Sequence, residues 1–349
     1  MRVGLAYSDA FLDHDTGDHP ESPERLRAIM SQLARSGLLA RVEVIAPPHA
    51  TEQELTLVHN EALIYSIRGM AAVGGGALGF DTVISSGSYE AALLAAGGAI
   101  DLVRRVGRHE LDRGFALVRP PGHHATRRGA MGFCLFNNLA IAAAVALREG
   151  LARRIAIVDF DVHHGNGTEE AFETNSRVLY ISTHQSPLYP GSGDLHDVGL
   201  ASGLGTILNI PLPAGVGDVG MQQVYERLVL PALERFGADL LLVSAGYDLH
   251  WSDPLAQLDL SVAGIHGLVS LLLDYANRRC GGRAVFALEG GYQLEALAHG
   301  VAATVAAMLD EDYPDLLGPS RRRETSVSAL IEQVARLHHL DLARPSSYR

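Results

Sequence analysis

Short apolar runs alternate with longer segments of helical periodicity along most of this chain. This alternation is typical of an α/β protein whose strands lie mostly parallel in one sheet. The runs 240–243 and 284–288 are apolar at every position, which indicates central strands in a three-layer fold with helices on both faces. The predicted strands, about eight in number, are 2–7, 42–46, 115–118, 154–159, 177–182, 206–210, 239–244 and 283–288. The predicted helices are 23–36, 52–58, 61–69, 87–106, 137–149, 218–236, 262–279, 292–308 and 326–337.

Several predicted helices begin with a recognisable capping residue. Thr51 and Glu54 have the spacing of a capping box, in which each side chain accepts from the other residue's backbone N–H. Asn60 and Ser261 stand where a capping oxygen is needed, and Ser22 precedes a first-turn proline. These signals fix four helix starts. They also leave long polar loops over 8–21, 184–205 and 245–260, the kind of segment that usually carries function.

The composition is that of a globular protein with a sizeable core, since 47% of the 349 residues are hydrophobic and 19% are charged. No linker divides the chain, which favours one domain. The net charge of −12 gives no basic surface for nucleic acid, and no apolar stretch reaches the ~18 residues that span a membrane. Cys134 and Cys280 are too few for a disulfide framework and are expected to be packed thiols. The N-terminus lacks signal-peptide features, so a cytoplasmic location is expected.

A glycine-rich run over 74–79 is compatible with a phosphate-binding loop. It lacks the lysine of the GxxxxGK[ST] motif and does not stand between a strand and a helix. We therefore expect a flexible loop without a ligand.

Polar clusters follow four of the predicted strands, where each apolar run ends. In an open parallel sheet, ligands bind outside the carboxyl ends of the strands, so the four clusters can converge on one pocket. Each cluster carries a carboxylate, an imidazole or a phenol. The segments are FALVRPPGHHA (115–125), IAIVDFDVHHGNGT (155–168), LLLVSAGYDLH (240–250) and AVFALEGGYQL (284–294).

Three residues in these clusters form a candidate metal site. Asp161 and His163 are two positions apart, so their side chains point the same way on an extended backbone. Asp248 follows a buried strand whose end needs no charge for stability. Two carboxylates and one imidazole, with a position left open, suit a catalytic zinc ion. Oxygen-rich ligation also tolerates Fe²⁺, Co²⁺ or Mn²⁺.

The tandem His123–His124 is interpreted as an acid–base pair. The two prolines and the glycine before it restrict the turn and fix how the rings are presented. An imidazole with a near-neutral pKa can take a proton from water and return it to a leaving amine. Asp159 and Asn166 flank the metal ligands and are candidate acceptors for the two rings.

Tyr292 is a candidate oxyanion donor because it follows two glycines that let the backbone approach a ligand closely. A Ser/His/Asp triad is the alternative catalytic arrangement. It finds little support, since the chain has no GxSxG motif and Ser244 lies at a buried strand end.

The motifs together resemble the signature segments of the histone deacetylase superfamily, and the resemblance covers about residues 1–310. They are RPPGHHA, DFDVHHGNGT, SAGYD with DPLA, LEGGY, HPESPERL (19–26), DLHDVG (194–199) and NIPL (209–212).

This resemblance implies an arginase/deacetylase-like fold in a single catalytic domain, 1–349, with a core over about 1–310 and a helical C-terminal extension. It assigns Zn²⁺ to Asp161, His163 and Asp248. It assigns acid–base work mainly to His124, with His123 as its electrostatic neighbour, and carbonyl polarisation to Tyr292. For the substrate tunnel it implies Gly132, Phe133, Tyr189 and Leu255, and for an inner channel Arg25. For a structural K⁺ it implies Asp159, Asp161, His163, Ser182 and Thr183.

Two positions refine the resemblance. Asn166 stands where class I members have an aspartate, as in class II, so His124 is expected to lack a charged partner and to have a lower pKa than in a carboxylate dyad. Leu255 stands where polyamine-specific relatives carry an acidic gatekeeper, which weakens a polyamine interpretation.

The leading hypothesis is therefore a zinc-dependent amidohydrolase that removes acetyl or short acyl groups from an acylated lysine peptide or a small acyl-amine. Acetylpolyamine deacetylation and an inactive binding or scaffold protein remain alternatives. An arginase-type binuclear manganese enzyme is a more distant one, because Gly165 occupies the position of a bridging carboxylate. The sequence does not choose between a monomer and a homo-oligomer.

Overall fold

The computed structural model describes residues 1–342 and is built on an eight-stranded sheet of order β2-β1-β5-β10-β9-β6-β7-β8. Every pairing in this sheet is parallel. The fold class expected from the sequence is thus confirmed. In chain order the strands are β1 (Val3–Ala6), β2 (Glu43–Ile45), β3 (Gly75–Leu78), β4 (Thr82–Ser85), β5 (Arg113–Ala116), β6 (Ile155–Asp159), β7 (Val178–Gln185), β8 (Ile207–Leu212), β9 (Leu240–Ala245) and β10 (Ala284–Leu288).

The helices surround this sheet, and all nine predicted helical segments are present. The predicted helix 218–236 consists of two α-helices joined by a π-helical turn over Tyr225–Val229. The helices are α1 (Glu24–Arg35), α2 (Glu52–Leu55), α3 (Glu61–Ala72), α4 (Ser88–Gly107), α5 (Asn138–Arg148), α6 (Asn166–Phe172), α7 (Asp218–Val224), α8 (Leu230–Phe236), α9 (Val262–Arg279), α10 (Leu294–Met308) and α11 (Ser328–Leu337).

The core is formed by the central strands and the helices that cover them. Every residue of β6, β9 and β10 is buried, as the uninterrupted apolar runs predict. In the surrounding layers, α4 packs against α5, and α10 packs against α1 and α9. Burial of each Leu, Ile, Val or Phe side chain contributes roughly 1.5–3 kcal/mol, so this core provides the rigid frame on which the strand ends are held.

The sequence-based expectations fail at the glycine-rich run and at one helix start. The run 74–79 is not a loop, since Gly75–Leu78 pairs antiparallel with Thr82–Ser85 as a two-stranded hairpin. Gly75 has a φ of +107°, and a Cβ there would lie 2.1 Å from a carbonyl oxygen of the partner strand, so glycine is required for the pairing. The capping bonds at Thr51, Asn60 and Ser261 are confirmed. Ser22 does not cap α1, whose N-cap is the following proline without a side-chain hydrogen bond.

The strand order brings the four polar clusters together. In the sheet, β5, β10, β9 and β6 are consecutive neighbours although they are distant in the chain. Because all four run parallel, their carboxyl ends lie along one edge, and the segment after each strand faces the same space.

Within residues 1–342, no helix is long and apolar enough to cross a membrane. Cys134 and Cys280 are free and buried, as expected of packed thiols.

Candidate active site

Asp161, His163 and Asp248 converge at the carboxyl ends of β6 and β9. Each offers one ligand atom, and these atoms all lie within 4.8 Å of one another. His163 Nδ1 is 3.1 Å from Asp161 Oδ1 and 3.2 Å from Asp248 Oδ2. Asp161 and His163 are two positions apart just after β6, which is why their side chains share one side of the chain.

The local structure fits a divalent cation. Asp248 Oδ2 is buried without a hydrogen-bond partner, although the imidazole of His163 lies close to it. Burial and the neighbouring carboxylate of Asp161 raise the pKa of Asp248, because two buried negative charges face each other. A Cβ on Gly246 would lie 2.0 Å from Asp161 Oδ2, and one on Gly290 would lie 2.0 Å from Asp248 Oδ2. The carboxylates thus occupy space that only glycine leaves free, and a cation would compensate their charge.

His123 is held by a carboxylate. Its Nδ1 lies 3.1 Å from Asp159 Oδ2, which also accepts a hydrogen bond from the Tyr180 hydroxyl at 3.0 Å. Burial alone would lower the pKa of His123, but the carboxylates of Asp159 and Asp161 raise it to about 10 in the metal-free protein. The predicted contact between Asp159 and an imidazole of the tandem is therefore present, and it favours a positive charge on His123.

His124 is held by an amide instead. Its Nδ1 lies 2.8 Å from Asn166 Oδ1, and because an amide oxygen accepts, Nδ1 carries the proton and Nε2 is left basic. The rings of His123 and His124 are 4.0 Å apart between centroids. Burial, followed by repulsion from His123 and His163, lowers the pKa of His124 well below its usual range. The hydrogen bond to Asn166 acts in the opposite direction but is outweighed by these effects.

Tyr292 enters the site from the segment that follows β10. Its ring packs edge-on against Phe133 at 5.7 Å between centroids, and the guanidinium of Arg25 lies over it at 5.2 Å. Burial, followed by the carboxylate of Asp248, raises the pKa of the phenol, so the hydroxyl keeps its proton and acts as a donor.

Two of the expected tunnel residues, Tyr189 and Gly132, lie against His124. Tyr189 packs edge-on against His124 at 5.1 Å between ring centroids and is 39% exposed. Gly132 has a φ of +56°, and a Cβ there would lie 2.3 Å from the His124 ring, so only glycine fits. Phe133 also has a positive φ, of 68°. Leu255 is 38% exposed, and its backbone N–H donates to Asp253 at 2.9 Å.

Arg25 forms hydrogen bonds with the backbone of the segment that follows β10. Its guanidinium donates to the carbonyl oxygens of Gly291 and Glu289 at 2.7 and 2.5 Å and to Glu21 at 3.0 Å. The sequence analysis expects Arg25 beside an inner channel. The structure places it next to Tyr292 and with its hydrogen-bonding capacity engaged by the protein.

Ser182 and Thr183 lie on β7 beside the end of β6. Ser182 is the register partner of Asp159, and the Thr183 hydroxyl donates to the Asp159 carbonyl at 3.4 Å. Four of the five residues expected around a potassium ion are thus adjacent in the sheet or in the turn after it, and His163 follows two positions beyond Asp161.

The sequence analysis missed a buried layer of charge behind the histidine tandem. Glu289 Oε2 accepts from the backbone N–H groups of Gly122 and His123 at 2.7 and 3.1 Å, so it fixes the turn that presents the tandem. Behind it, Glu21 accepts from Arg119 through both carboxylate oxygens. The local spacing of these residues does not predict the contacts, because each contact joins residues that are 98 to 167 positions apart in the chain.

Replacing Glu21 by Gln is expected to destabilise the protein by about 3–5 kcal/mol at pH 7, since it leaves buried Arg119 without its partner. Burial raises the pKa of Glu21, but Arg119 and Arg25 outweigh it and lower the value from 4.5 to about 2. This stabilisation is present above pH 4.5 and is lost as the pH falls toward about 2. Urea unfolding at pH 7 and at pH 3 checks this, and the deficit of Glu21→Gln should shrink at the lower pH.

Glu24→Gln, at the first residue of α1, is the matched control. Glu24 pairs with Arg27 at the surface, where an ion pair is worth about 0–1 kcal/mol. Equal losses of stability in the two variants would contradict the buried ion pair as the source.

With this geometry described, comparison with known proteins shows what the chain resembles. Residues 19–308 match the Histone deacetylase domain. Histone deacetylase 14, chloroplastic, of Arabidopsis thaliana is 42% identical over 88% of this chain and 77% of its own length. A probable deacetylase of Archaeoglobus fulgidus is 38% identical over 97% of this chain and 98% of its own length. A histone deacetylase-like amidohydrolase of Pseudomonas aeruginosa is 42% identical over 78% and 72% of the two chains.

The solved structures agree. The crystal structure of the HDA15 HD domain superposes with a TM-score of 0.88 at 37% identity and covers 97% of this chain and 94% of that chain. The fold and the deacetylase relatives together define a hydrolase that acts on amide bonds. The chain belongs to the histone deacetylase family, so it is a deacetylase, and membership of this generally metal-dependent family points to acetylated substrates.

Proposed function

We propose that the protein is a zinc-dependent amidohydrolase that removes acetyl or short acyl groups from acylated lysine side chains. The observation that carries this proposal is the cluster of Asp161, His163 and Asp248 within 4.8 Å, beside the basic Nε2 of His124 and the phenol of Tyr292. These groups are the parts that amide hydrolysis requires: a cation site, a base and an oxyanion donor. Fe²⁺ or Co²⁺ also suits the same three ligands.

The chain's own residues divide the reaction between them. A zinc ion held by the three ligands would supply Lewis acidity toward the acyl carbonyl. His124 Nε2 takes a proton from the attacking water, and the hydroxyl of Tyr292 donates to the oxygen of the carbonyl as it gains negative charge. His124 or the positively charged His123 then protonates the departing amine. Tyr189 and Phe133 enclose the aliphatic part of the side chain and exclude bulk water.

The close packing around Gly165 argues against the binuclear manganese alternative. A Cβ on this residue would lie 2.3 Å from Asp159 Oδ2 and 2.5 Å from the Tyr180 hydroxyl. No side chain fits there, so the carboxylate that a second ion would need at this position is sterically excluded. We expect one divalent metal ion per chain.

Replacing Tyr292 by Phe is expected to lower kcat by roughly 10²–10³-fold while leaving the fold intact, because one oxyanion donor is lost. Steady-state kinetics on an acetyl-lysine peptide measures the effect, and circular dichroism checks the fold. A variant with full activity would remove the phenol from the mechanism.

Substrate preference is tested by paired kinetics on an acetyl-lysine peptide and on acetylputrescine. Leu255 offers no charge to a distal ammonium, so the peptide should have the higher kcat/KM. A higher kcat/KM for acetylputrescine would favour the polyamine alternative. No turnover of either substrate, or of other acylated amines, by fully metal-loaded protein would favour an inactive binding protein.

We further propose a structural K⁺ at Asp159, Asp161, His163, Ser182 and Thr183. In support, Ser182 pairs with Asp159 in the sheet and the Thr183 hydroxyl donates to the Asp159 carbonyl. A cytoplasmic location is proposed as well, because the free, buried Cys134 and Cys280 suit a reducing compartment.

A further inference from the structure

The carboxylate of Asp253 joins two loops of the candidate active site. Its Oδ2 accepts from the backbone N–H groups of Tyr292 and Gln293 at 2.7 and 3.2 Å. Its Oδ1 accepts from the N–H of Leu255 at 2.9 Å. The residue is 7% exposed, so its hydrogen bonds are sheltered from competition with bulk water. One side chain thus connects the loop that carries Leu255 with the segment that carries the phenol.

The segment before Tyr292 has little local structure of its own. Gly290 and Gly291 precede it, and Gly291 has a φ of +116°, which residues with a Cβ rarely adopt. Glycine loses more conformational freedom on folding than any other residue, so such a turn does not fix its own geometry. The direction in which the phenol leaves the backbone is therefore set by contacts from elsewhere.

Backbone hydrogen bonds from distant residues hold each peptide unit of this turn. Gly290 N–H donates to Asp161 at 2.8 Å, and Gly290 O accepts from the N–H of Tyr247 at 3.1 Å. Gly291 O accepts from Arg25 at 2.7 Å. On the other side, the N–H groups of residues 292 and 293 both depend on Asp253. Asp253 is thus the partner nearest to the Cα that carries the phenol.

We infer that Asp253 is a positioning residue that sets the placement of the Tyr292 hydroxyl for oxyanion stabilisation and ties it to the loop carrying Leu255. This inference rests on the proposed function. An oxyanion donor acts over a narrow range of distances, and a misplacement of 1 Å can lower a rate by about 10²-fold. Asp253 itself is separated from the reacting atoms by the backbone of Tyr292.

Asp253→Asn is the decisive variant. The amide keeps the shape of the carboxylate but retains only one acceptor oxygen, so an NH₂ group faces either the Leu255 N–H or the pair of N–H groups from Tyr292 and Gln293. We expect kcat on an acetyl-lysine peptide to fall by about 10–10²-fold with little change in KM, because an interaction specific to the transition state is impaired.

Asp315→Asn is the matched control. Asp315 also uses both oxygens on three backbone N–H groups, those of Ala263, Leu317 and Gly318. It lies in the segment after α10 and bonds the first turn of α9 through Ala263. Asp315→Asn should lower the melting temperature without changing kcat. Equal kcat values in the two variants, or a change in KM alone for Asp253→Asn, would overturn the inference.

A double-mutant cycle with Tyr292→Phe tests whether Asp253 acts through the phenol. When the hydroxyl is already absent, Asp253→Asn should lower kcat much less than it does in the wild-type background. Fully additive effects would show that Asp253 acts by another route and would overturn the inference.

Hydrogen exchange on the unsubstituted protein provides a test that does not depend on a variant folding. The amides of Tyr292 and Gln293 should exchange slowly, since both donate to a buried carboxylate. Exchange at the rate of exposed loop amides would overturn the inference. If wild-type protein turns over no acylated amine, the proposed function fails, and the exchange result still decides whether Asp253 holds this segment.

Discussion

Asp248→Asn is expected to yield a folded protein that has lost its divalent metal ion. The substitution removes one of three charged or basic ligands, and even residues that only support a ligand are worth about 10–100-fold in metal affinity. We therefore expect the zinc affinity to fall by more than about 100-fold. Deacetylation should fall with it, because the remaining two ligands leave the cation weakly held.

In the absence of metal, by contrast, Asp248→Asn should not lower the stability of the protein. Asp248 Oδ2 is buried without a hydrogen-bond partner, and it faces the carboxylate of Asp161. A neutral amide removes this repulsion, so the metal-free variant should be at least as stable as the metal-free wild type. Added zinc should raise the melting temperature of the wild type and not that of the variant, since a ligand stabilises only the state that binds it.

Metal content by mass spectrometry and thermal unfolding with and without zinc measure these effects. Asp274→Asn, an exposed acid on α9, is the control and should match the wild type in both. One zinc per chain in the Asp248→Asn protein would contradict the ligand assignment. Two divalent ions per wild-type chain would contradict the single divalent site that Gly165 favours.

The second large effect is expected from His124→Ala. Removing a general base typically costs 10²–10⁴-fold, and kcat should fall by roughly that factor. The reason lies in the hydrogen bond to Asn166, which fixes the proton on Nδ1 and leaves Nε2 free to accept one. His123 cannot substitute, because its pKa is raised by two carboxylates and it already carries a proton in the metal-free protein.

Kinetics on an acetyl-lysine peptide and zinc titration separate catalysis from metal binding in this variant. Zinc content should stay at the wild-type level, since His124 is not among the three ligands. His196→Ala replaces an exposed imidazole in the loop after β7 and serves as the control, with kcat expected at the wild-type value. A His124→Ala protein with wild-type kcat would exclude this residue as the base.

The sequence was sufficient for the eight strands of the main sheet, and the pattern is clearest in β9 and β10, where 240–243 and 284–288 are apolar at every position. It did not reveal the hairpin of β3 and β4, since the glycines that permit the close pairing at Gly75 also mask the strand pattern. It also missed α6, which begins at Asn166 inside a segment interpreted as a ligand motif.

The residues of the candidate active site were also only partly predictable from the sequence. Asp161 and His163 were accessible from the sequence because a spacing of two on an extended strand end has a geometric meaning. Glu289 and Asp253 were not, although each stands in a segment that drew attention for other reasons. Apart from the N–H of Leu255, their backbone N–H partners are 39 to 167 residues away, and a side-chain pattern does not reveal contacts with backbone groups. Long-range hydrogen bonds to the main chain have to be read from coordinates.

The strand order has a consequence for how the enzyme is made. β9 lies between β6 and β10, and β10 in turn separates β9 from β5, so the last strands of the sheet to be synthesised occupy its middle. Until they insert, β5 and β6 expose unpaired edges, which favour aggregation. A nascent chain that ends before residue 284 therefore cannot assemble the cation site with its backbone supports. Retention of zinc would accordingly report completed folding, and fragments released early should be metal-free and prone to precipitate.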